Sequence, residues 1–170
     1  MVAVIRQRIP GAEVRLYSCG EACGYGSRAR GTAGPESDID LLIVATITPD
    51  VPMPATACLI QHLLGVPTTA ACFDLNAACS GFIYALDTAC AMISSGRYRK
   101  ALVVGAEKLS DIVDWKDRTT CVLFGDGAGA AVIGTSAESG RGLLGTRLGA
   151  YGDGADLLHI PTGSRHSPDH

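Results

Sequence analysis

Short apolar runs recur along the chain, and the stretches between them place apolar residues at helical spacing. Ile39 to Thr46 reads IDLLIVAT, a nearly continuous apolar run that predicts a parallel strand covered on both faces. Ala70 to Leu75 (AACFDL) and Lys100 to Ala106 (KALVVGA) repeat that pattern. Part of Cys121 to Ile133 and the run Leu143 to Leu148 are further strand candidates, and Val14 to Tyr17 is a weaker one. Pro54 opens a predicted helix that Gly65 ends, with Ala57, Cys58, Ile60, Leu63 and Leu64 on its apolar face. Ser80 to Ser95 predicts a second helix, closed by Gly96. In GDGAGAAVIG the glycines predict a close-packed turn that feeds a strand. Glu107 to Thr120 and Ala150 to His170 read as polar, irregular segments. The alternation predicts an α/β fold with a mostly parallel sheet and flanking helices, one layer that resembles half of a larger architecture.

Composition narrows the function. A net charge of -3 without a basic run argues against nucleic acid, and the apolar runs are too short or too broken to span a membrane. The first residues lack the order of a signal peptide, and seven cysteines, five of them in apolar segments, suit a reducing cytoplasm. Cys19 and Cys23 are spaced C-x3-C with no second ligand pair, so no metal is expected from them.

The position with candidate chemistry is Cys79, where a predicted strand meets the first turn of a helix. Unpaired backbone N–H groups at such an end favour a thiolate. The plainer alternative is a small buried hydrophobe.

The words DLNAACSGFIYAL, ALVVGAEKLS, VDWKDRTTCVLFGDGAGAAVI and LGAYGDGADLLHIPTG, in that order, resemble beta-ketoacyl-[acyl-carrier-protein] synthase III, a thiolase-like condensing enzyme of fatty acid synthesis. The resemblance runs from about Asp38 to Gly163 and covers the first half of that family's length. It implies that Cys79 takes an acyl group from acyl-CoA as a thioester before decarboxylative condensation with malonyl-acyl-carrier protein, with no cofactor. It further implies that Arg118 and Trp115 hold CoA, that Phe82 borders the acyl pocket, and that Met53 reaches across a homodimer. Phe82 as core, and Met53 and Arg118 as solvated loop positions, remain the plainer alternatives. The family's His and Asn belong to its second half, and no HQAN-like segment is present here. The resemblance therefore leaves open a homo-oligomer, a missing C-terminal half, or an inactive fragment or scaffold.

Residues Ile5 to Val44 carry another resemblance. IRQRIPGAEVRLY followed by GSRARGTAGPESDIDLLIV is similar to the opening of a minimal nucleotidyltransferase domain. That likeness implies a phosphate-holding pair, Gly26 and Ser27, and a magnesium pair, Asp38 and Asp40, which alternate along a strand and so share a face. Asp74 is a formal third carboxylate. Residues 1–37 are thus expected to be an atypical front segment, 38–163 a thiolase-like half domain and 164–170 a tail. A chimera, a misjoined gene reading or drift would each produce such a front.

Overall fold

The computed structural model describes residues 39–136 and 142–160, and residues 15–21 as backbone. Five strands form one sheet: β1 (Arg15–Glu21), β2 (Leu41–Ala45), β3 (Ala71–Leu75), β4 (Lys100–Lys108) and β5 (Asp126–Ser136), in the order β1-β5-β4-β2-β3. β2 pairs in parallel with β3 and β4, and β1 with β5; β4 and β5 run antiparallel. The predicted mostly parallel α/β layer is present.

β2 is an interior strand and wholly buried, as its unbroken apolar run requires. Leu41, Ile43 and Ala45 point to one face and Leu42 and Val44 to the other, each joining a separate apolar cluster. Helix α1 (Thr56–Leu64) covers the Leu42 side through Ala57 and Ile60. Helix α2 (Gly81–Ser94) covers the Leu41 side through Ala85, Ala89, Cys90 and Ile93.

The helix ends follow the glycines. Gly65 adopts φ 63 and Gly96 φ 75, left-handed conformations that glycine takes without Cβ strain. Gly65 and Val66 donate back to His62 O and Gln61 O, closing α1. At its other end α1 has no cap of its own, because Ala55 offers no side-chain oxygen. Asp74 of β3 supplies it, accepting from Thr56 N at 2.7 Å and Ala57 N at 2.8 Å. Pro54 consequently lies just outside the helix that it was expected to open.

Three expectations need correction. Leu143 to Leu148 forms no strand; it runs over α2, where Thr146 Oγ1 bonds Asp87 and Tyr84 OH donates to Gly149 O. Leu144 is exposed there, so the run buries no continuous apolar face. The glycines of GDGAGAAVIG are no tight turn, since Gly127 and Gly129 lie within β5, opposite Glu107 and Gly105. Cys58, Cys72, Cys90 and Cys121 lie in apolar segments and are expected in the core, but only Cys90 is buried. β1 also places part of the front segment in the common sheet.

Candidate active site around Cys79

Cys79 follows β3 in a 3-10 turn, Ala78–Ser80, that leads directly into α2. Ala78 holds φ 45, a left-handed conformation that costs a residue with a Cβ about 1–2 kcal/mol. The sharp turn leaves Cys79 exposed. It lines an open cavity of about 550 Å³ with Ala45, Phe82, Gly105, Glu107 and Gly129.

The cavity exists because side chains shrink along the α2 face of the sheet. Toward one end that face carries Leu41, Ile43, Val103 and Ile133; toward the other it carries Ala45, Gly105 and Gly129, which pair in one row across β2, β4 and β5. Gly81 sits over Ala45 so closely that a Cβ on it would meet the Ala45 Cβ at 3.1 Å. The Phe82 ring lies over Gly105, where an added Cβ would come within 3.2 Å of the ring edge. A Cβ at Gly129 would meet nothing within 4 Å. The third place in the row is open, and Cys79 faces the space that results. Gly105→Val is expected to cost about 2 kcal/mol by overpacking, and Gly129→Ala to stay within about 0.5 kcal/mol; urea unfolding of the two variants checks this.

Glu107 is the polar wall. Its carboxylate accepts from Ile47 N at 3.0 and 3.2 Å, Thr46 Oγ1 at 3.3 Å and Thr48 Oγ1 at 2.6 Å. It thereby fixes the start of the loop that carries Met53, which is 85% exposed. Sequence reading passed over Glu107; its only signal was a carboxylate at the end of a buried strand.

β4 and β5 are joined by a loop that leaves and re-enters at the cavity rim, where Glu107 pairs with Gly127. Asp126 secures it by accepting from Ser110 N and Ser110 Oγ, each at 2.9 Å. Trp115 and Arg118 lie exposed on this loop. Asp117 accepts from Thr119 N, Thr119 Oγ1 and Thr120 Oγ1, and the Thr119 hydroxyl foremost holds its carboxyl below the usual 3.8. A lowered value means that the turn is favoured at neutral pH and loses that support as pH falls through the folded value.

The structure thus brings Cys79 and Phe82 to one cavity, roots the Trp115–Arg118 loop at its rim, and leaves Met53 pointing away into solvent. Gly26, Ser27 and Asp38 lie outside the described residues, as does Cys23. Asp40 is described, and the fold uses its carboxylate: it accepts from Arg99 N at 2.8 Å and Lys100 N at 3.0 Å, setting the start of β4. Asp74 is likewise taken up by α1. Among the described residues no three His, Cys, Asp or Glu side chains group as metal ligands.

A family model of 3-oxoacyl-[acyl-carrier-protein] synthase III matches residues 73–152, the stretch that holds Cys79, its cavity and the loop. The beta-ketoacyl-[acyl-carrier-protein] synthase III of Caldanaerobacter subterraneus subsp. tengcongensis is 55% identical over 131 residues, 77% of this chain and 39% of that protein. That of Chlorobium chlorochromatii is 49% identical over 158 residues, 91% of this chain and 46% of that protein. The crystal structure of the Thermus thermophilus synthase III superposes with a TM-score of 0.71 at 46% identity, covering 82% of this chain and 43% of that one. The body of this chain resembles synthase III in sequence and in fold. It spans less than half the length of these synthases. A nucleotidyltransferase domain model matches residues 12–53, the stretch that contains β1 and β2. Both strands are members of the synthase-like sheet. Among the described residues no helix is long and apolar enough to cross a membrane.

Proposed function

We propose that this chain carries out the acyl-accepting step of a synthase III reaction. The Cys79 thiolate attacks the thioester carbonyl of an acyl-CoA; the carbon–sulfur bond to CoA breaks, a bond to Cys79 Sγ forms, and CoA leaves as its thiolate. The observation that carries this reading is the exposed Cys79 on a strained strand-to-helix turn, facing a cavity floored by Ala45, Gly105 and Gly129. The start of α2 would favour the negative charge that develops on the thioester oxygen beside Cys79. Phe82 walls the acyl group, and Arg118 and Trp115 meet the nucleotide end of CoA. Malonyl-acyl-carrier protein is the second substrate of the complete reaction, within cytoplasmic fatty acid synthesis. The synthase resemblance assigns decarboxylation to a His and an Asn of the family's second half, so the proposal covers the acyl-accepting step. A homodimer or a complementary half would give exposed Met53 its partner.

Incubation of the folded chain with acetyl-CoA tests this. A thioester mass increase confined to the Cys79 peptide, released by hydroxylamine and absent from Cys79→Ser, is the expected result. A folded sample that takes up no acyl group would instead make the chain a non-catalytic scaffold.

A further inference from the structure

The loop between β4 and β5 holds acids and bases side by side, and bonding within it decides which charge is left for a ligand. Asp111 is paired with Lys108 Nζ at 2.6 Å. Asp114 accepts from Lys116 N at 2.8 Å. Asp117, directly next to Arg118, is engaged three times: by Thr119 N at 2.9 Å, Thr119 Oγ1 at 2.6 Å and Thr120 Oγ1 at 2.7 Å. Its backbone is fixed as well, since Asp117 N donates to Asp114 O and Cys121 N donates to Asp117 O. Arg118 is exposed at the centre of this turn and has no ion-pair partner among the described residues.

We infer that Asp117, with Thr119 and Thr120, is a positioning group that keeps Arg118 free for a phosphate-bearing thioester substrate. An aspartate adjacent to an arginine in a solvated loop is otherwise a ready partner for it, and such a pair would compete with a phosphate for the guanidinium. Two threonine hydroxyls and a backbone N–H engage the carboxylate within the turn instead. The guanidinium then keeps its donors for the fork geometry that suits phosphate oxygens. Because the loop is rooted at Glu107 and Gly127 on the cavity rim, a phosphate held by Arg118 belongs to the remote end of a molecule whose thioester reaches Cys79. This rests on the proposed acylation of Cys79.

The experiment compares Cys79 acylation by acetyl-CoA with acylation by acetyl-pantetheine, which has the thioester but no phosphate. In a Thr119→Val, Thr120→Val variant Asp117 keeps its charge and loses its hydroxyl partners. Half-saturation by acetyl-CoA is expected to rise about fivefold while acetyl-pantetheine is unaffected, the size of one exposed ionic contact. Adding Asp117→Asn to that variant removes the competing charge and is expected to restore the acetyl-CoA value, a rescue that a merely structural turn would not give. Equal changes for the two thioesters, or no change for either, or failure of Asp117→Asn to rescue, would overturn the inference. If neither thioester acylates the folded wild-type chain, the acylation reading itself fails.

Discussion

Cys79 is expected to take up iodoacetamide about a hundredfold faster than Cys90 at neutral pH. Alkylation needs an accessible thiol, and the structure grades the cysteines by access. Cys79 is exposed on its turn, at the end of α2 where backbone N–H groups collect. Cys90, 5% exposed, lies between α2 and the sheet among Ala85, Ala89 and Ile93. Reagent reaches it only through an opening of the helix, and an opening free energy of about 3 kcal/mol already supplies the hundredfold. Cys72 is an intermediate case. Burial first, and then the neighbouring Cys58, pushes its thiol up, so less thiolate is present at pH 7. Its rate is expected to climb with pH as that raised thiol ionises. Peptide mapping of a timed alkylation series measures all five described thiols in one sample. A Cys79 peptide labelled no faster than that of Cys90 would mean that the turn is not assembled as described, and the acylation proposal would fall with it.

The legible parts of the fold were those whose own pattern matches their burial. β2 reads as an apolar run because both its faces are covered, and α1 and α2 end where glycine permits a left-handed residue. The less legible parts are set by partners distant in sequence. β1 begins close to where Val14 to Tyr17 was read, but it continues to Glu21 because β5 offers it a parallel edge. Leu143 to Leu148 carries strand-like residues, yet it lies over α2 and holds there by Tyr84 and Asp87. The site divides in the same way. Cys79 is readable from a strand-to-helix junction, whereas the cavity beside it depends on Ala45, Gly105 and Gly129 falling in one register, which no single segment displays.

The carboxylates of the nucleotidyltransferase-like reading teach a related lesson. Asp40 directly precedes a strand and Asp74 sits within one, positions that fit ligands and structural acceptors equally well in sequence. The structure gives each two backbone donors. A carboxylate engaged at both oxygens by the fold is less free to turn toward a metal.

Asp74→Ala is therefore expected to destabilise the chain by about 2–3 kcal/mol, since it orphans two N–H groups at the start of α1 and removes a charge that opposes the helix dipole. Thr56 and Ala57 are both buried, so water is a poor substitute for the lost oxygens. Asp74→Asn keeps one amide oxygen and gives up the charge, and it is expected to recover about half of the loss. Urea unfolding followed by circular dichroism measures both: the midpoint should fall in the order wild type, Asn, Ala, with an unchanged slope. The result bears on function as well as stability. α1 packs beside β2, which continues into the Thr46–Thr48 segment that Glu107 holds at the cavity rim. An Asp74→Ala chain that keeps full stability would detach the carboxylate from the helix and return it to the pool of candidate metal ligands. A chain that loses stability but still alkylates first at Cys79 below its unfolding midpoint would show that the α2 face assembles the thiol turn independently of α1.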